Sequence, residues 1–289
     1  MHYKNVKGIL SAHNGMNLYR GCTHGCIYCD SRSSCYQIDH DFEDVEVKIN
    51  APQLLEEALK SKRKKVMIST GSMCDPYLPL EQSEELTRTC LKIIYQYGFG
   101  VNLLTKSDLV LRDLDLLKAI SEKTKCVVQM TLTTFDRKLC QVLEPNVCIT
   151  ERRIEVLNIM RDNNIPTVVW LCPILPFIND SEENIRQLLT SCITAKVKGI
   201  VCFGMGVTLR EEDREYFYQQ LDEYFPGLKQ RYIRNFGNSY VCNSPNNNYL
   251  MKIFRNACHE YGIICEPEDV FKYLAAFENN QLGQQLSLF

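Results

Sequence analysis

Cys22, Cys26 and Cys29 fall within eight residues, in the stretch Gly21-Cys22-Thr23-His24-Gly25-Cys26-Ile27-Tyr28-Cys29. Thiolates are soft ligands, and three of them spaced C-x3-C-x2-C reach three corners of one four-iron four-sulfur cluster. Glycines at 21 and 25 let the backbone curl tightly without a Cβ penalty. The fourth iron then has no protein ligand in this motif, and an open metal position separates catalytic sites from closed structural ones. Two plainer readings compete. Zinc in a structural site takes four ligands, whereas this loop offers three thiols, with His24 awkwardly placed between two of them. Chance spacing is the other, since the chain holds 15 cysteines; the flanking glycines, Tyr28 and the pattern downstream weigh against it.

Such a loop needs a rigid frame, and the rest of the chain supplies one. A short apolar-containing segment, 16–19, precedes Cys22, and Val66 to Thr70, Val101 to Thr105, Cys126 to Thr134, Thr167 to Cys172 and Gly199 to Phe203 read as strands. Between them run stretches of helical period. Ala51-Pro52 opens one, with Leu54, Leu55, Ala58 and Leu59 on one face, and Leu86, Cys90, Ile93, Ile94 and Tyr97 mark the next. Leu114, Leu117 and Ile120, then residues 151–161, then a helix opened by an Asp180-x-x-Glu183 capping box continue the series. Six strand slots, each followed by a helix, predict an α/β chain with a parallel sheet. Six rather than eight predicts a partial (β/α)6 TIM-like barrel, open on one side. A second capping box, Thr208-x-x-Glu211, leads into additional C-terminal helices carrying Phe217, Leu221, Phe225 and then Leu250 to Tyr261. The expected division is an irregular lead-in over 1–16, the barrel over 17–205, a helical extension packed on it over 206–278, and a mobile tail over 279–289. The basic run from Lys60 to Lys65 reads as complementing a helix dipole.

Catalytic groups of α/β barrels sit where strands end and loops begin. Those positions hold Asp75-Pro76-Tyr77 with Glu81, Thr105-Lys106-Ser107 with Arg112-Asp113, Leu143-Glu144-Pro145 with Arg153, and Pro173 through Asp180. With Tyr28 directly before the third cysteine, the loop resembles the signature of the radical SAM enzymes. Over about 17–205, the strand-end motifs resemble the spore photoproduct lyase-related branch of that family. The resemblance implies a partial barrel in which Cys22, Cys26 and Cys29 ligate the cluster and S-adenosylmethionine chelates the remaining iron. It implies one-electron cleavage of the sulfonium to a 5'-deoxyadenosyl radical that abstracts hydrogen from a substrate. It further implies that Tyr28 lies along the adenine, that Lys106 pairs with the cofactor carboxylate, and that Gly71, Ser72 and Thr131 complete the pocket for the amino group and ribose. Cys74, Asp75 and Tyr77 become the catalytic candidates, Cys74 as a hydrogen donor; it immediately precedes Asp75, whereas the family's donor lies further upstream.

The formal net charge is −2 with a sequence pI of about 6.2, which argues against a global duplex-binding surface. Fifteen cysteines with no signal peptide and no apolar run long enough to span a bilayer suggest a reducing cytoplasm and no membrane association. Cys126, Cys172 and Cys202 read as strand core residues and Cys90 and Cys192 as helix core residues; a second cluster on Cys242, Cys258 and Cys265 has no tight pair to support it. At the C-terminus, Gln285-Leu286-Ser287-Leu288-Phe289 resembles the bacterial motif that docks on the DNA sliding clamp, with Gln285, Leu286, Leu288 and Phe289 as anchors. The expected function is radical chemistry of a lyase-like kind, with DNA as substrate in repair or modification and an electron donor such as flavodoxin or ferredoxin. A peptide, tRNA or small molecule as substrate is the alternative, and a non-catalytic metal-binding adaptor of the clamp is the alternative of another class.

Overall fold

The apolar runs pair into one parallel sheet. In the computed structural model, which describes residues 1–280, the strands are β1 (His2–Lys4), β2 (Gly15–Met16), β3 (Tyr19–Arg20), β4 (Glu46–Lys48), β5 (Met67–Thr70), β6 (Gly100–Thr105), β7 (Cys126–Thr131), β8 (Thr167–Trp170), β9 (Gly199–Val201), β10 (Gly206–Thr208) and β11 (Val241–Asn243). The main sheet has the order β2-β5-β6-β7-β8-β9, every pair parallel. Its crossovers carry the helices Ala51–Ser61, Leu86–Tyr97, Leu114–Lys123, Thr150–Asp162 and Glu182–Thr194. This is the partial barrel that the alternation predicts.

Every residue of β7 is buried, as a central strand covered on both faces must be. Alternation sends Cys126, Val128 and Met130 toward the helix layer, while Val127 faces inward. Inside, Val127, Val168 and Val201 meet Val270 and Leu274 of the helix Pro267–Ala275. Each fully buried valine or leucine there contributes about 1.5–3 kcal/mol. A chain of side-chain hydrogen bonds crosses the same interior: Trp170 Nε1 donates to Gln129 Oε1 (2.8 Å), Gln129 Nε2 to Asn102 Oδ1 (3.1 Å), and Asn102 Nδ2 to the Leu274 carbonyl (3.1 Å). The open edge at β9 is closed by Ile264, whose carbonyl accepts from Ile200 N at 2.8 Å and whose amide donates to Lys198 O at 3.2 Å.

Several expectations need correction. The lead-in is not irregular throughout, because it carries β1 and β2, and the first strand of the main sheet is β2 rather than the segment ending at Tyr19. Tyr19 belongs to β3, in a second sheet of order β1-β4-β3. The 206–278 region includes an antiparallel pair, β10 with β11, as well as helices. Neither capping box forms. Ser181, not Asp180, caps the helix Glu182–Thr194, and Asp180 accepts from Ser244 Oγ at 2.5 Å. Thr208 lies in β10, and the next helix starts at Asp213. Cys242 belongs to a different apolar cluster from Cys258 and Cys265, so those three share no site. Among the described residues no helix is long and apolar enough to cross a membrane. The clamp-like residues Gln285, Leu286, Leu288 and Phe289 lie outside the described residues.

Candidate active site

The C-terminal ends of the strands converge on a cavity of about 390 Å3. Cys22, Cys26, Cys29 and Tyr28 line one side of it, Gly71 to Asp75 follow β5, Thr105 and Lys106 end β6, Thr131 ends β7, and Trp170 ends β8. The cysteine loop is pinned by backbone bonds: Cys22 N donates to Phe42 O at 2.8 Å, and Ile27 N to Leu143 O at 3.0 Å. Gly21 is required here, since its φ is +84° and a Cβ would sit 2.5 Å from the Phe42 carbonyl oxygen. Gly71 is under the same demand at φ +97°, where a Cβ would collide with the Leu104 backbone.

The thiols differ in their surroundings. His24 N–H is directed at Cys22 Sγ from 3.4 Å. The Cys74 thiol beside it holds Cys22 below its ordinary pKa; burial opposes this and the His24 amide adds to it. Burial pushes Cys26 and Cys29 up. Burial would push the Lys106 ammonium down, but the acidic groups around it, Cys26, Glu144 and Asp75, outweigh this and raise the group, so it stays charged. Its Nζ lies 6.0 Å from the Tyr28 ring centroid. Tyr28 donates its hydroxyl to Glu144, whose other oxygen is 2.6 Å from Arg153 Nη2, both side chains fully buried. Arg153 also donates from Nη1 to the carbonyl of Thr131 at 3.1 Å, tying the end of β7 to the same pair.

The three catalytic candidates of the sequence do not share one position. Asp75 lines the cavity, but its oxygens accept from Tyr77 N (2.8 Å), Thr105 Oγ1 (2.7 Å) and Lys106 N (2.8 Å), which makes it a clamp on the β5 and β6 ends. Cys74 is buried with its thiol donating to Gly21 O at 2.8 Å, beside Cys22. Tyr77 is not brought to the cavity: it is fully buried and its hydroxyl donates to Asp113 Oδ2 at 3.1 Å. The cofactor candidates Tyr28, Gly71, Ser72, Lys106 and Thr131 all line the cavity.

Comparison with known proteins agrees with this geometry. The sequence profile of the radical SAM superfamily matches residues 16–189, more than half of the chain. The chain belongs to the radical SAM superfamily. It is an enzyme of the radical SAM type, and the cofactors of that type are a four-iron four-sulfur cluster and S-adenosylmethionine. It is 37% identical over 174 residues to an uncharacterized protein of Methanocaldococcus jannaschii, a match covering 60% of this chain and 64% of that protein. An uncharacterized protein of Mycobacterium tuberculosis is 29% identical over 223 residues, covering 75% of this chain and 65% of that one. The chain thus spans less than two thirds of the length of these curated relatives. A solved variant of spore photoproduct lyase superposes with a TM-score of 0.65 at 14% identity, covering 91% of this chain and 79% of that chain, a likeness of fold.

The residues of this radical SAM cavity fit both cofactors. Three thiols without disulfide partners face one space, one of them receives a backbone N–H, and a half-buried ammonium stands across from them. Sequence reasoning missed three residues of the rim. Trp170 and Cys172 fell inside the expected fifth strand and Phe203 inside the sixth, but those strands stop at Trp170 and Val201. All three line the cavity. Phe203 is 65% exposed and stacks on Phe271 with ring centroids 6.2 Å apart, and Trp170 meets both edge-on. Gly204 directly after Phe203 was the available signal that the strand ends early.

Proposed function

We propose that this radical SAM enzyme acts on DNA, abstracting hydrogen in a lyase-like repair or modification reaction. The carrying observation is the convergence of Cys22, Cys26, Cys29 and the charged Lys106 on one cavity at the strand ends. The three thiols would hold the cluster, and Lys106 would meet the carboxylate of S-adenosylmethionine as a point charge. Gly71 and Ser72 would receive the amino group, and Tyr28 and Thr131 the adenosine. When bound, the reduced cluster and S-adenosylmethionine supply a 5'-deoxyadenosyl radical that takes a hydrogen atom. The unit that carries this chemistry is 17–205, with 206–278 packed against it.

DNA as substrate is supported by the likeness to spore photoproduct lyase, one structure of which holds AdoMet and a dinucleoside spore photoproduct. The planar faces of Phe203 and Trp170 at the mouth suit a base taken out of its stack. A net charge of −2 leaves phosphate attraction weak, and the Gln285 to Phe289 motif supplies the missing recruitment by docking on the sliding clamp. Flavodoxin or ferredoxin in the cytoplasm would deliver the electron. The test is anaerobic: iron and sulfide are loaded, the cluster is reduced, and 5'-deoxyadenosine is measured with and without damaged DNA. Product formation that each of Cys22→Ala, Cys26→Ala and Cys29→Ala abolishes is expected. A fully loaded cluster that yields none with or without DNA would overturn the reading.

A further inference from the structure

Outside the cavity, β1 and the segment that holds the cysteine loop in place together carry a second set of metal-ligating side chains. One donor atom from each of His2, His40 and Asp44 lies within 4.8 Å of the other two. His2 Nδ1 is 2.9 Å from Asp44 Oδ2, and its Nε2 is 3.9 Å from the buried Glu46. His40 Nδ1 lies 2.9 Å from the carbonyl of Asp41. A carbonyl only accepts, so Nδ1 carries the proton and Nε2 of the neutral ring is the lone-pair nitrogen. That Nε2 is shielded from solvent and has no hydrogen-bond partner. A backbone carbonyl fixing one ring nitrogen while the other stands free is the arrangement found in metal-bound histidines.

We propose that His2, His40 and Asp44 form a binding site for one divalent cation, zinc by the chemistry of its donors. Two imidazoles and a carboxylate suit zinc, and a water completes four-coordination. Zinc–nitrogen bonds of about 2.0–2.1 Å require the donors to draw together, which small rotations of partly exposed side chains allow. Asp44 Oδ1 is already held by the Met1 amine at 2.7 Å, so Oδ2 is the oxygen that faces the metal.

The site has a structural consequence. His40 Cε1 packs against Gly21, 3.6 Å from where a Cβ would lie, and Phe42 between the ligands accepts the Cys22 amide. The cation staples β1 to the 40–44 segment and so fixes the backbone that holds the first cysteine. None of the three ligands lines the cavity, and the proposal stands whatever the cavity's substrate.

The test uses the full chain with its cluster loaded, equilibrated with zinc, desalted, and analysed for iron and zinc. One zinc per chain is expected beyond the iron, lost in both His40→Ala and Asp44→Asn with the iron unchanged. Zinc misplaced on the cysteines is separated by a chain carrying Cys22→Ala, Cys26→Ala and Cys29→Ala, titrated with cobalt(II). Visible d–d absorption without a thiolate charge-transfer band supports the site. No zinc retained by the loaded native chain, equal zinc in both variants, or no cobalt spectrum in the cysteine-free loop would overturn it.

Discussion

Two groups of charges border the 71–77 loop, and they are partnered in opposite ways. Away from the cavity, Arg112 Nη2 lies 2.7 Å from Glu81 and 2.8 Å from Asp113, Arg88 Nη1 lies 2.8 Å from Asp113, and the hydroxyls of Tyr19 and Tyr77 donate into the same two carboxylates. Glu81 and Asp113 are fully buried and saturated with donors. On the cavity side, Lys106 keeps its charge, yet among the described residues its Nζ has no hydrogen bond or ion pair, only the Tyr28 face. A saturated network fixes shape; a half-buried cation left without a partner at a cavity wall is retained where a ligand completes it.

That contrast can be broken at either end. Asp113→Ala leaves Arg112 and Arg88 short of a partner and is expected to cost about 3–5 kcal/mol of stability, read from denaturant unfolding. A loss below about 1 kcal/mol would mean that the network does not hold the loop. Lys106→Ala is expected to do the reverse. S-adenosylmethionine binding to the iron-loaded chain weakens by about 1.5–3 kcal/mol, roughly 10- to 100-fold, with stability and iron content kept. Unchanged affinity would remove Lys106 from the cofactor site.

The smallest effect sharpens the comparison at a third buried charge. Asp213 has neither oxygen hydrogen-bonded, and burial, helped by Asp30, pushes its carboxyl from 3.8 up to about 7. Between those values the folded chain holds a proton that the unfolded chain has released, so stability falls as pH rises through that window. Asp213→Asn is expected to flatten this slope and to gain about 1 kcal/mol at pH 8. A slope as steep as the native one would show that the carboxyl titrates normally.

The barrel was legible because parallel strands buried on both faces are apolar runs, and β5 to β9 fall where such runs lie. The cysteine loop was legible because its ligands are local. Boundaries were not, and two residues too many on two strands hid Cys172 and Phe203 in the core. Tyr77 misled for a related reason. Its position after β5 suits catalysis, but the direction of its side chain depends on Asp113, 36 residues away. Capping boxes at Asp180 and Thr208 failed because Ser244 and strand pairing with β11 claim those residues first.

The inner wall of Val127, Val168 and Val201 is covered by the helix Pro267–Ala275, and the last strand edge by Ile264. A ribosome makes the cysteine loop some 230 residues before it makes that cover. During synthesis the nascent barrel therefore stays open and wet along its axis, with those inner valines facing water until the helix seats.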